Sequence, residues 1–176
     1  MDYIVRLASR NTFIKNLVLS LKGNTLLLFQ FVDKHGKVLY NDIKKEISKT
    51  IFSRQVYYVS GNIKANDRED IRALVEKDKD AIIVASFGTF STGINIKNLH
   101  NIIFASPTKS RIRNLQSIGR GLRKSDSKSS ATLYDIADDL TYKSKHNYTI
   151  QHFAERLKTY NEEKFEYKIY TINIKV

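Results

Sequence analysis

Short, uninterrupted apolar runs constrain this chain more than any other feature. They occupy residues 25–31, 81–85, 101–105 and 131–136, and a strand-like stretch covers 55–59. Runs this short and this apolar read as strands buried on both faces rather than strands with one wet face. Between them lie segments with apolar residues at helical spacing. Phe13, Ile14, Leu17, Val18 and Leu21 share one face over residues 11–22, opened by Asn11 or Thr12 and stopped by Gly23. Val38, Leu39, Ile43 and Ile47 mark a second helix over 36–48. Asn66, with Glu69 three residues later, reads as the cap of a third, which carries Ile71, Leu74 and Val75. Residues 110–122 and 150–160 complete the helical segments.

Strands alternating with helices predict an α/β domain: a twisted, mostly parallel sheet with helices on both faces. The pattern changes at the end. Residues 167–176 alternate with some apolar groups on each side, which predicts an edge strand or a segment that covers something else. The expected division is a main domain over 1–143 and a helix–strand extension of it over 144–176.

Composition narrows the function classes. The 176 residues contain no cysteine, which removes disulfides, thiol chemistry and thiolate zinc sites and fits a reducing intracellular compartment. No apolar run approaches the roughly 18–20 residues of a membrane span, and the N-terminus does not read as a secretory signal. The net charge is +12, so a polyanion is the expected partner and nucleic acid the first choice. No phosphate-cradling G-x-x-x-x-G-K-[ST] loop is present, nor any dinucleotide fingerprint. Histidines 35, 100, 146 and 152 lack ligand spacing and read as surface or loop residues, so no metal site is expected.

Two segments carry chemistry. Gln116-Ser117-Ile118-Gly119-Arg120-Gly121-Leu122-Arg123 places two arginines three apart on an expected helix, so both project from one side. Glycine costs a helix about 1 kcal/mol relative to alanine, and two in one turn suggest close approach of backbone or ligand. Arginine is planar, always charged and bidentate, which suits phosphate. The same helix also reads as a basic surface that grips a nucleic-acid backbone. The second segment, 84–96, is a glycine- and hydroxyl-rich loop after a buried strand. Loops at the carboxyl ends of parallel strands are where such sheets bind ligands, although an ordinary strand-to-helix connection fits the segment as well. Phe31, Phe87 and Phe90 lie beside these loops and are candidates to stack on bases.

In order along the chain, four elements resemble motifs of the second RecA-like domain of superfamily 2 helicases. Residues 26–31 resemble motif IV. Tyr58-Val59-Ser60-Gly61 followed by Asp67-Arg68-Glu69 resembles the element near the nucleic-acid strand. Residues 83–86 with 91–96 resemble motif V, and 116–123 resemble motif VI. The resemblance implies a role for each. Arg123 would be the arginine finger on the γ-phosphate of ATP, and Arg120 would neutralise charge on the same phosphates. Gln116 and Gly119 would shape that wall, and Gly93 and Asn95 would lie by the ribose. Gln30, Gly61, Arg68, Ser86 and Thr89 would meet the nucleic-acid backbone. It further implies ATP with Mg²⁺, the metal being held mainly by a first helicase domain not in this sequence, and no activity without that domain. The implied task is unwinding or remodelling branched DNA, with RNA–DNA hybrids as a further substrate, in recombination and repair. Asn95, where many relatives carry aspartate, Ser117, Leu122 and Ser86 depart from the RNA-specific pattern and point towards DNA. The alternatives are a stand-alone basic nucleic-acid-binding module with no ATP role, and a protein-interaction domain.

Overall fold

The computed structural model describes residues 2–50, 54–61, 65–91, 96, 98–106, 131–141, 143 and 147–175, with the backbone alone at 65–68, 72, 90 and 91. Among these residues, five strands form one sheet: β1 (Thr25–Phe29), β2 (Val56–Val59), β3 (Ile82–Ser86), β4 (Asn101–Phe104) and β5 (Thr132–Asp135). Their spatial order is β2-β3-β1-β4-β5 and every pairing is parallel. The register sets Phe29 opposite Ser86, Val59 opposite Ala85 and Phe104 opposite Asp135, so the strands end nearly level.

Successive side chains on a strand point to opposite faces. Leu26, Leu28, Ile83, Ala85, Ile102 and Phe104 therefore form one half of the core, and Leu27, Phe29, Ile82, Val84 and Ile103 the other. Helices α2 (Ala8–Ser20) and α3 (Lys37–Ile47) cover the second face with Ile14, Val18, Leu39 and Ile43. Helices α4 (Ala65–Lys77), α5 (Phe87–Ser91) and α6 (Tyr148–Glu162) cover the first with Val75, Phe87 and Tyr160. Burying each large aliphatic side chain is worth about 1.5–3 kcal/mol, which makes the two-faced sheet the main source of stability. A short helix α1 (Asp2–Arg6) precedes α2, and a π-helical turn, Val32–Gly36, joins β1 to α3. Gly36 is required there: a Cβ would stand 2.4 Å from the Phe29 ring.

The amino edge of the sheet is closed by side chains bonded to main chain. Asn24 donates to Val75 O and Asp78 O and accepts from Ala81 N. Arg54 donates to Val18 O, Gly23 O and Asp80 O and pairs with Asp80 at 2.9 Å. Asn101 donates to Lys22 O and Thr25 Oγ1. Gly23 turns the chain with φ +83, and a Cβ there would meet His100 at 2.7 Å.

Several sequence expectations are corrected. Helix α2 begins at Ala8, and Asn11 lies inside it, donating to Val5 O and tying α1 to α2 rather than capping. Asn66 stands one residue inside α4 rather than at its cap. Val38 and Leu74 are exposed although their spacing put them on apolar faces. The segment 167–175 is not a strand: it is exposed and pairs with no strand among the described residues, because alternation without a ladder partner does not make a sheet. The expected helix over 110–122 lies outside the described residues.

Candidate nucleic-acid interface

Strands β2, β3 and β1 are neighbours, and their carboxyl ends carry four of the expected nucleic-acid contacts. Gln30 follows β1 and is exposed; Gly61 lies just beyond β2 and is exposed; Ser86 ends β3, and Thr89 lies on α5. The register places these exits side by side. Arg68, the fifth, is on α4, the helix that follows β2, and only its backbone is described. The ATP-side candidates Gly93, Asn95, Gln116, Gly119, Arg120 and Arg123 lie outside the described residues.

Ser86 caps α5. Its Oγ accepts from Thr89 N at 3.2 Å, which satisfies one of the helix's first amides, and lies 2.7 Å from Thr89 Oγ1. Both hydroxyls are buried. The two glycines are different. A Cβ at Gly61 or at Gly88 would meet no atom within 4 Å. Neither has the positive φ that demands glycine, and Gly88 sits inside a helix, where glycine is costly. The fold therefore does not require either glycine, and both leave open room for a backbone to approach.

Beside this rim, at the carboxyl ends of β4 and β5, lies buried charge that the sequence did not reveal. Arg10, on α2, is 2% exposed. Its Nε donates to Asp138 Oδ1 at 2.5 Å and its Nη2 to Ala105 O at 2.8 Å and Asp138 Oδ2 at 3.0 Å. On the opposite face, Arg156 of α6 pairs with Asp135 at 2.7 and 2.9 Å, and Tyr160 donates to the same carboxylate at 2.8 Å. Burial and then the Asp135 charge raise the Tyr160 hydroxyl's pKa well above its usual value. His35, expected on a surface, is fully buried beside Ser106 Oγ at 3.2 Å. Burial, then the nearby Arg10 charge, lowers its pKa to about 4, so the ring is neutral at pH 7. Helical or strand periodicity cannot disclose such residues, because each satisfies its charge with a partner far off in sequence. Phe87 is also corrected: it packs edge-on against Phe104 in the core, 5.2 Å between centroids, and is not available to stack on a base. Phe31 is half-buried. Among the described residues no group of three or more His, Cys, Asp or Glu is placed to hold a metal ion, and no helix is long and apolar enough to cross a membrane.

The model of the helicase conserved C-terminal domain matches residues 9–125. The chain belongs to that family. This helicase C-terminal domain is 40% identical to the ATP-dependent DNA helicase uvsW of Enterobacteria phage T4, over 97% of its own length and 35% of the relative's. It thus spans about a third of the curated relative it matches. The crystal structure of T4 UvsW superposes with a TM-score of 0.77 at 39% identity, covering 97% of this chain and 36% of that one. The SWI2/SNF2 ATPase core domain of Sulfolobus solfataricus matches at TM-score 0.59 and 18% identity, over 88% of this chain and 28% of that one, a likeness of fold. The parallel sheet with helices on both faces is accordingly the RecA-like fold of the second superfamily 2 helicase domain.

Proposed function

We propose that this domain is the C-terminal half of an ATP-dependent DNA helicase or translocase. The observation that carries the reading is the 40% identity to a phage DNA helicase along nearly the whole chain, joined to a sheet edge that aligns Gln30, Gly61, Ser86 and Thr89. The nucleic-acid backbone lies along that edge, with Arg68 contributing from α4. The two open glycines let it come close, and the net charge of +12 draws it there. ATP sits between this domain and a first helicase domain of the same polypeptide, which holds most of the Mg²⁺ coordination. Gly93 and Asn95 face the ribose, Gln116 and Gly119 form the wall, and Arg120 and Arg123 face the phosphates. Phosphoryl transfer needs positioned positive charge more than covalent chemistry, so these arginines do their work only when the first domain is present. Closing and opening the cleft moves the strand. Residues 1–143 form the motor domain and 144–176 an extension of the same domain, whose attachment is supported by the Arg156–Asp135 pair that binds α6 to β5. Branched DNA is the favoured substrate, RNA–DNA hybrids a further one, in recombination and repair within the cell.

The test is nucleic-acid-stimulated ATPase of the intact polypeptide, wild type against Arg123→Ala. The expected result is a fall of roughly 10³-fold or more with DNA affinity retained. Unchanged turnover, or loss of DNA binding in step with turnover, overturns the motor reading and leaves a binding module.

A further inference from the structure

The exit of β1 is held by a side chain from the exit of β4. Through Leu28 the two strands share backbone bonds, the last being Ala105 N to Leu28 O at 2.9 Å. One step further the chains part. There the Gln30 N–H donates to the Ser106 hydroxyl at 3.1 Å instead of to a carbonyl. Ser106 is 3% exposed, so its hydroxyl has little access to water and the bond to Gln30 is partly buried. The hydroxyl oxygen accepts from Gln30, and its own hydrogen can go to His35 Nδ1 at 3.2 Å when the neutral ring carries its proton on Nε2. The neighbouring carbonyl, Ala105 O, is fixed in turn by Arg10. Gln30 itself is exposed at the rim, directly above this buried chain of bonds.

We propose that Ser106 is a positioning residue for the nucleic-acid contact at Gln30, with His35 orienting its hydroxyl. The proposal rests on the reading of Gln30 as a contact. Ser106 touches no substrate; it fixes the main chain from which Gln30 projects. A partly buried amide deprived of its acceptor turns towards water, which moves Gln30 off the position that meets the strand.

The intact polypeptide is titrated with a labelled single-stranded oligodeoxythymidylate, followed by anisotropy and by stimulated ATPase. Ser106→Ala is expected to raise the half-saturating DNA concentration about tenfold, with saturated turnover within about twofold. Ser106→Thr, which keeps the hydroxyl, restores the affinity. Gln30→Ala raises the half-saturation similarly, and the double variant adds little to either single change, as expected of one linked unit. A merely structural serine would lower the melting temperature without moving half-saturation. Wild-type affinity in Ser106→Ala, beside a weakened Gln30→Ala, overturns the positioning role and leaves the contact standing. Wild-type affinity in Gln30→Ala removes the contact and the proposal with it. Hydrogen exchange of the wild type decides the matter if Ser106→Ala does not fold. The Gln30 amide must be protected and must slow further with DNA; exchange at the rate of an exposed amide overturns the proposal.

Discussion

The two edges of the sheet solve the same problem in opposite ways. Strand ends leave backbone groups unpaired, and a buried one costs as much as a lost hydrogen bond. At the amino edge, Asn24, Arg54 and Asn101 direct their side chains onto main-chain atoms and close it. At the carboxyl edge, charged side chains pair at the ends of β4 and β5, Arg10 with Asp138 and Arg156 with Asp135, while Gly61 and Gly88 leave open room beyond β2 and β3. One edge spends its polar groups on the fold. The other is braced at β4 and β5 and leaves open room at β2 and β3.

Substitutions test that contrast. The largest expected effect is removal of the brace. Asp138→Ala strands the buried Arg10 guanidinium and should cost about 3–5 kcal/mol in urea unfolding. A loss below about 1 kcal/mol would mean that the rim does not depend on this pair. His35 comes next. Its folded pKa of about 4 lies below the ordinary histidine value of 6.5, so the unfolded chain binds the proton more readily. The associated stability is complete above about pH 6.5 and is lost as pH falls from there to about 4, by at most about 3 kcal/mol. Unfolding free energy measured from pH 7.5 to 4 should show that slope in the wild type, and His35→Gln should flatten it. At the closed edge, Asn24→Ala removes three hydrogen bonds and should cost about 2–3 kcal/mol while leaving DNA affinity alone. Weaker DNA binding there would blur the division between the edges. The smallest effect has the opposite sign. Gly88→Ala meets no atom and replaces a helical glycine, so stability should rise by up to about 1 kcal/mol. Titration of the same variant with DNA should show weaker binding, and unchanged affinity would show that nothing approaches that open side.

The strands were legible because burial on two faces writes itself as an apolar run. Leu26, Leu27 and Leu28 need no partner to be recognised, and the sequence boundaries of the sheet strands fall within two residues of those observed. The start of α2 was not legible. Asn11 has a capping residue's chemistry but uses it on Val5 O, and Ala8 opens the helix without a side-chain cap. Residues 167–175 misled for a related reason: alternation records which side chains share a side, whereas a strand also needs a neighbour to bond. The candidate interface was legible as motif spacing, since Gln30, Gly61 and Ser86 each follow an apolar run. Its support was not. Arg10 and His35 read as ordinary polar residues until the fold brought Asp138 and Ser106 against them.

The Arg10–Asp138 pair spans 128 residues of sequence. Asp135 and Asp138, three residues apart, each hold an arginine from a different helical layer, one near the start of the chain and one near its end. During synthesis Arg10 therefore emerges long before its carboxylate, and Asp135 emerges before the helix that neutralises it. The growing chain can assemble the face built from α2, β1 and α3 early, but the carboxyl edge stays unbraced until almost the whole domain has left the ribosome. These pairs are contacts of long sequence separation, the kind whose formation waits on loop closure, so the braced carboxyl edge is expected to become native after the local contacts of α2, β1 and α3.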